Sequence, residues 1–262
     1  MKKKLSLMVS VLLVAFVLTG CSIDPSAITP ETASGFWEQF FVLPLASFIT
    51  FLYNLLGGNL GFAVILATAA VRLVLMPIYA KSNKSMAVMQ EIQPQMQAIQ
   101  KKYETRKDPA SQQKMQGELM ALYQKYNYNP MTGCLLPFLQ MPVFFAFYQA
   151  IYRHPLILDA QSADFFGINL GSTGTVANIV LAVLVAGLTF FSQRMMMSNQ
   201  SQNNDAAGAK TANTMMKVMN IYFPFAMFSI TIGTPFAFGL YFLTGSIMTI
   251  VQSLIFKRPK QK

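Results

Sequence analysis

Charged side chains are scarce in this chain. They make up 11% of its 262 residues, and only ten are Asp or Glu. An average soluble domain carries about 25%, so the deficit excludes an ordinary water-facing surface over much of the molecule. One His and two Cys are too few for a metal-ligand cluster or a disulfide framework. No HExxH occurs, and the lone His154 lies in a loop. Enzyme chemistry that needs paired acids, bases or metals has little to draw on here.

What is present is apolar. Hydrophobic residues make up 53% of the chain and the mean hydropathy is +0.41, which is the composition of a polytopic membrane protein. The net charge of +10 would also suit nucleic acid. However, the basic residues cluster beside apolar runs, which is how membrane topology is written.

The central stretch is 58–80, GNLGFAVILATAAVRLVLMPIYA. It is long enough to cross a bilayer, since about 20 apolar residues match a core of roughly 30 Å. Arg72 sits deep inside it, with eight residues between it and Lys81. That separation is about 12 Å of helix, more than snorkelling fully covers. A charge at such depth costs from about 2.5 to well above 10 kcal/mol, so Arg72 should face protein or water. No candidate span contains an Asp or Glu to pair with it. Thr68 lies one turn earlier on the same face.

In chain order, residues 1–21 read as a secretory signal, with Lys2–Lys4 basic and Leu5–Leu18 apolar. Leu18-Thr19-Gly20-Cys21 resembles the lipobox of bacterial lipoproteins, which predicts a palmitate-bearing Cys21 outside the membrane; an uncleaved anchor is the alternative. Ser22–Ser34 then reads as a short flexible tether. Within 22–57, residues 35–57 are apolar with a partial polar stripe of Glu38, Gln39, Ser47, Thr50 and Asn54, and with Trp37 as an interface marker. If this segment crossed, the eight basic residues between Lys81 and Lys125 would fall outside, against the positive-inside rule. It is expected to be an amphipathic helix on the outer surface, kinked near Pro44.

Residues 81–132 form the sizeable polar region. Met86, Met89, Ile92, Met96, Ile99 and Tyr103 line one helix face. Asp108-Pro109 is an N-cap and first-turn signal, and Met115, Leu119, Leu122 and Tyr126 line a second face. This predicts a helical hairpin. Four more spans follow, at 133–151, 175–193, 218–233 and 235–256, with a polar loop through 198–214 and a short basic tail at 257–262. Basic residues of the hairpin, Arg194, Lys210, Lys217 and the tail fall on one side. Arg153 falls on the other, with Asp24, Glu31, Glu38, Asp159 and Asp164. The expected topology is therefore five spans, N-terminus out and C-terminus cytoplasmic.

The spans also carry Gln140, Gln149, Asn178, Thr189, Gln193, Asn220, Ser229, Tyr241, Thr244, Ser246 and Gln252. Singly, such residues are most simply helix–helix hydrogen bonds. Arg72 differs, and a hydrated groove holding an unpaired cation accounts for it best. An anion channel or transporter using Arg72 as its anion site is the rival; ion flux through the purified protein would favour it. A purely structural assembly factor would tolerate Arg72→Ala.

The stretches AAVRLVLMPIYAKSNKSMAVMQEIQPQMQAIQKKY, NPMTGCLLPFLQMPVFFAFYQAI and GLYFLTGSIMTIVQSLIF occur in matching order within 58–256. In them the chain resembles the YidC/Oxa/Alb family of membrane protein insertases, in the form found in Gram-positive bacteria. The resemblance implies an all-α fold with five transmembrane helices around a hydrophilic groove, open to cytoplasm and lipid. It places the groove arginine at Arg72 with Thr68 beside it, the glutamine of LLPFLQMP at Gln140, and the aromatic pair of the last span at Tyr241 and Phe242. It places the cytoplasmic hairpin at 81–128. The implied activity is insertion and folding of nascent membrane proteins, alone or with the Sec translocon. Ribosome or targeting factors would meet the hairpin, with no cofactor and no enzymatic step.

Overall fold

Backbone polar groups in lipid have no water to bond, so apolar runs of this length must satisfy them internally as helices. The computed structural model describes residues 26–105, 108–159, 163–197 and 221–255. In order these form α1 (Gly35–Leu55), α2 (Leu60–Val74), α3 (Met76–Lys102), α4 (Pro109–Lys125), α5 (Pro130–Tyr152) and the single turn α6 (Pro155–Leu158). They continue with strands β1 (Asp164–Phe165) and β2 (Ile168–Asn169), then α7 (Val176–Met197), α8 (Ile221–Gly233) and α9 (Phe236–Ile255). The expected signal segment with Cys21, Lys210, Lys217, Asn220 and the tail at 257–262 lie outside the described residues.

Among the described residues three helices are long and apolar enough to cross a membrane: α1, α7 and α9. A fourth arises if α2 and the first part of α3 count as one bent span. The transmembrane helix expected over 58–80 is broken at Leu75, where the two segments are bent by 59°. The expected boundary between span and hairpin at 80/81 is therefore no helix end, because α3 runs on from Met76. Pro77 supplies the physical reason. It has no N–H to offer the carbonyl of Leu73, and its ring crowds that turn. In the first turn of a new helix the same residue is harmless. Arg72 consequently sits in the last turn of α2, where the helix dipole favours a cation. In α1 the irregularity expected at Pro44 takes the form of a π-turn over Glu38–Val42, immediately before it.

The chain divides into two compact units. The first holds residues 1–67 and 141–171. Its core joins Ile28, Ala33, Val42, Ala46 and Ala150, with Trp37 packed against them. Residues 26–34 of the expected tether thus pack within this unit, while 22–25 lie outside the described residues. Ile28 is buried, its N–H donates to the carbonyl of Arg153 at 2.8 Å, and Thr29 and Thr32 close a turn on each other. Arg153 lies inside this unit, 1% exposed; its guanidinium bonds the carbonyl of Ser26 at 2.8 Å and pairs with the carboxylate of Glu38. The Trp37 indole N–H donates to Gln149 Oε1 at 3.0 Å.

His154 is buried beside this pair. Its Nε2–H donates to the carbonyl of Ala46 at 3.2 Å and its Nδ1 accepts from the N–H of Leu156 at 3.3 Å. Both nitrogens are thereby committed to the neutral ring, and burial holds its pKa below the ordinary 6.5. The β1–β2 hairpin pairs Asp164 with Asn169 and Phe165 with Ile168. It is footed on buried Ala163 and Leu170, whose backbones bond at 2.7 Å.

The second unit holds residues 68–140 and 172–262. Here α3 and α4 pack through Ile92, Met96 and Leu122, with Leu119 and Tyr126 against them. Gln95 bonds Tyr126 and Lys102 pairs with Glu118, the order of contacts that antiparallel neighbours make. Asp108 caps α4 by accepting from the N–H of Ser111 at 2.8 Å. Helices α7 and α9 meet where Gly239 brings backbone against Leu181; a Cβ there would stand 2.5 Å from its Cδ2. Higher in the pair, Thr189 and Ser246 share a hydrogen bond at 3.3 Å. Asn178 at the start of α7 donates to the carbonyls of Ser172 and Thr234, joining its own entry loop to the α8–α9 turn.

Candidate functional site

The site lies within the second unit and is built from α2, α3, α5 and α9 around Arg72. A guanidinium offers five N–H donors in a fixed plane. Nη1 donates to Thr249 Oγ1 at 2.9 Å, and the Cζ atom stands 5.5 Å from the centre of the Tyr79 ring, within cation–π range. The ion pairs among the described residues are Lys102–Glu118 and Arg153–Glu38, so no carboxylate among them neutralises Arg72. The side chain is half-buried.

Two features of α9 hold the cation there. The hydroxyl proton of Thr249 is given to the carbonyl of Gly245 at 2.9 Å, which turns the oxygen lone pairs toward the guanidinium. Gly245 itself makes room, since a Cβ at that position would lie 2.8 Å from Nη2. Tyr241, Gly245, Thr249 and Gln252 recur at steps of four, four and three, and so share one face of α9. Gln252 is buried, and its Nε2 has no hydrogen-bond partner among the described residues.

From Tyr79 the contacts continue. Its hydroxyl donates to Gln140 Oε1 at 3.0 Å, and Gln140 Nε2 donates to the hydroxyl of Tyr241 at 2.8 Å. Arg72, Gln140 and Tyr241, far apart in sequence, are thus brought into one chain of contacts through Tyr79. Phe242 joins by ring packing on Tyr241 at 5.3 Å. Thr68 lies one turn before Arg72 on α2 and is 1% exposed. Of the other polar residues in the spans, read singly as hydrogen bonds between segments, Asn178, Thr189 and Ser246 bond neighbouring segments within this unit, and Gln149 bonds Trp37 in the first. Those four are accounted for as tertiary hydrogen bonds.

Sequence reasoning missed Tyr79, Gly245 and Thr249. The signal for the last two was available in the four-residue spacing from Tyr241, but a glycine and a threonine in an apolar run look like ordinary packing residues. Among the described residues no group of three His, Cys, Asp or Glu could hold a metal ion.

Comparison with known proteins gives a consistent result. The profile of the 60Kd inner membrane protein family matches residues 51–262. The chain is 38% identical over 262 residues to membrane protein insertase YidC 2 of Bacillus anthracis, covering 100% of this chain and 96% of that one. It is 33% identical over 262 residues to membrane protein insertase MisCA of Bacillus subtilis, covering 100% and 94%. Among solved structures it is similar to an active YidC insertase crystallised with its first transmembrane domain resolved. The TM-score there is 0.58 at 28% identity, over 85% of this chain and 46% of that chain.

Proposed function

The chain belongs to the 60Kd inner membrane protein family, and from that premise we propose that it is a membrane protein insertase of the bacterial inner membrane. On this reading it is no enzyme: it takes nascent membrane proteins into the bilayer and helps them fold. The groove is formed around Arg72 with Thr68, Gln140, Tyr241 and Phe242, to which Tyr79, Gly245 and Thr249 are added.

One observation carries the proposal. The cation of an otherwise uncharged span is met by a hydroxyl and an aromatic ring, with no carboxylate among the described residues. A charge held this way still needs water or an anion. An acidic outer segment of a nascent chain supplies the anion. At about 4 Å and an effective dielectric of about 20, that attraction is roughly 4 kcal/mol. The membrane potential adds about 2.3 kcal/mol per charge per 100 mV, so the fixed cation is the larger pull on a single acidic side chain. The substrate helix then leaves into lipid, where burial of its apolar surface contributes about 25 cal/mol per Å². The Gln252 amide, without a partner among the described residues, offers a donor for a passing backbone carbonyl.

The finer layout follows from charge. Five spans are assigned to α2 with the start of α3, α5, α7, α8 and α9. The N-terminus lies outside with a lipid anchor at Cys21, and α1 lies along the outer surface. The α3–α4 hairpin and the tail are cytoplasmic, where the hairpin receives substrate from ribosome or targeting factors, with the Sec translocon as a further partner. What supports this is the excess of Lys and Arg on the assigned cytoplasmic side. Although α1 is apolar enough to span, its crossing would export that basic region.

The test is insertion of substrates with acidic outer segments into vesicles holding the purified protein. A hydrogen bond to a charged group is worth about 1.5–3 kcal/mol, so Arg72→Ala should slow insertion roughly tenfold or more, while Arg72→Lys retains most of it. Equal rates for wild type and Arg72→Ala would remove the electrostatic role.

A further inference from the structure

The tip of the β1–β2 hairpin combines two features that ordinary packing does not explain. Its two-residue turn is Phe166-Gly167, and both residues have positive φ, at 54° and 79°. Such primed turns favour Asn, Asp or Gly at the first position, because a bulky side chain in the left-handed region is strained. Here that position holds phenylalanine, and its ring is 77% exposed. A strained backbone position is therefore occupied by a residue that buries little of its ring within the protein.

The ring is not a floppy outlier. Phe165 lies flat on the backbone of Gly61, where a Cβ would stand 2.2 Å from its ring. Phe62 packs edge-on to Phe165 at 5.4 Å and to Phe166 at 6.0 Å. The turn is braced by Asp164, whose carboxylate accepts from the N–H of Gly167 at 3.3 Å. Phe62 and Leu66 are both 43% exposed and share one face of α2, four residues apart. That face is apolar and outward on a helix read as a membrane span, so it borders lipid. The three rings extend the same face past the first turn of α2, at the level where a span meets the headgroups.

We propose that the hairpin tip is a lipid-contacting wedge, with Phe166 seated in the outer leaflet of the bilayer at the boundary between headgroups and acyl chains. The occupant is the lipid surface because the patch is continuous with the lipid-facing stripe of α2. Apolar surface at this boundary reaches roughly 5–10 Å into the membrane. A short, braced hairpin fixed to the first turn of α2 then sets the depth of that span, where a mobile loop would leave it free to slide. The inference rests on the spanning assignment of α2 made above.

The experiment places tryptophan at the tip, as Phe166→Trp, in the full-length protein reconstituted in phosphatidylethanolamine–phosphatidylglycerol vesicles. The signal of Trp37 is subtracted using wild type. Lipids brominated near the headgroup end of the chain should quench the new indole strongly, and lipids brominated near the chain terminus should quench it less. Its emission should be blue-shifted, and aqueous iodide should have little effect. Leu66→Trp serves as the control and should be quenched most by the deep bromines. If Leu66→Trp is quenched but Phe166→Trp responds only to iodide, the tip stands in water and the wedge is refuted while the spanning assignment survives. If Phe166→Trp is shielded from both quenchers, protein covers it and the wedge is equally refuted. If Leu66→Trp escapes bromine quenching, the spanning assignment itself falls and takes the wedge with it.

Discussion

On the proposed reading, Gly245 is a position where function and stability should come apart. An added methyl would meet Nη2 of Arg72 at 2.8 Å, too close for both to stay, and the flexible guanidinium is the partner that moves. Its bond to Thr249 would be lost. In a helix interior the same exchange of Gly for Ala is favourable by roughly 1 kcal/mol. Gly245→Ala should therefore keep or raise thermal stability in detergent while insertion of acidic-segment substrates falls toward the Arg72→Ala level. A parallel drop in stability would assign Gly245 to packing instead. His154 illustrates the opposite case, a buried ring with a structural task. Its folded pKa lies below the ordinary 6.5 because burial disfavours the charged form, so the unfolded chain takes up the proton first. Its contribution to stability is complete above that unfolded value and is lost as the pH falls toward the folded one. Thermal melts taken from about pH 8 to about pH 5, the range over which an imidazole changes charge, should decline on the acid side. His154→Gln should flatten that decline.

At the scale of elements, the hairpin's second arm depends on its cap. Asp108 satisfies the N–H of Ser111 at 2.8 Å, and replacing such a cap by alanine costs about 1 kcal/mol. Hydrogen exchange at the first-turn amides of α4 should accordingly quicken about fivefold in Asp108→Ala, with the last turns of α3 little changed. This cap was readable in the sequence because Asp-Pro before a periodic run is a local signal. The bend at Leu75 was not. Hydropathy runs unbroken from Leu60 to Ala80, and Pro77 is equally compatible with a kinked span and a fresh helix start. Distance in sequence hides the ordered segment 26–34 for a different reason. Ile28 joins Ala33, Val42 and Ala46 in a core that Ala150 completes, and the carbonyl that binds its N–H belongs to Arg153, more than a hundred residues away.

Considered whole, the molecule was legible in its class and less so in its wiring. Scarce charge, long apolar runs and three motif stretches were enough for the membrane setting and the family. Arg72 stood out because an uncompensated cation in an apolar run is rare. Its neighbours did not: Tyr79 is chosen by three-dimensional proximity, which leaves no periodic mark, and the four-residue spacing that ties Thr249 to Tyr241 is one that ordinary packing residues share. The continuous rod from Met76 to Lys102 has one more implication. Tyr79, beneath the cation, and Lys102, at the far end, belong to the same uninterrupted helix of 27 residues, about 40 Å long. Pro94 lies between them inside that helix, where it has no N–H to offer the carbonyl of Gln90 and weakens that turn. On the proposed reading, a partner docked where α3 meets α4 would reach the ring under Arg72 only through that proline joint, which makes Pro94 the place where the two ends are coupled or uncoupled.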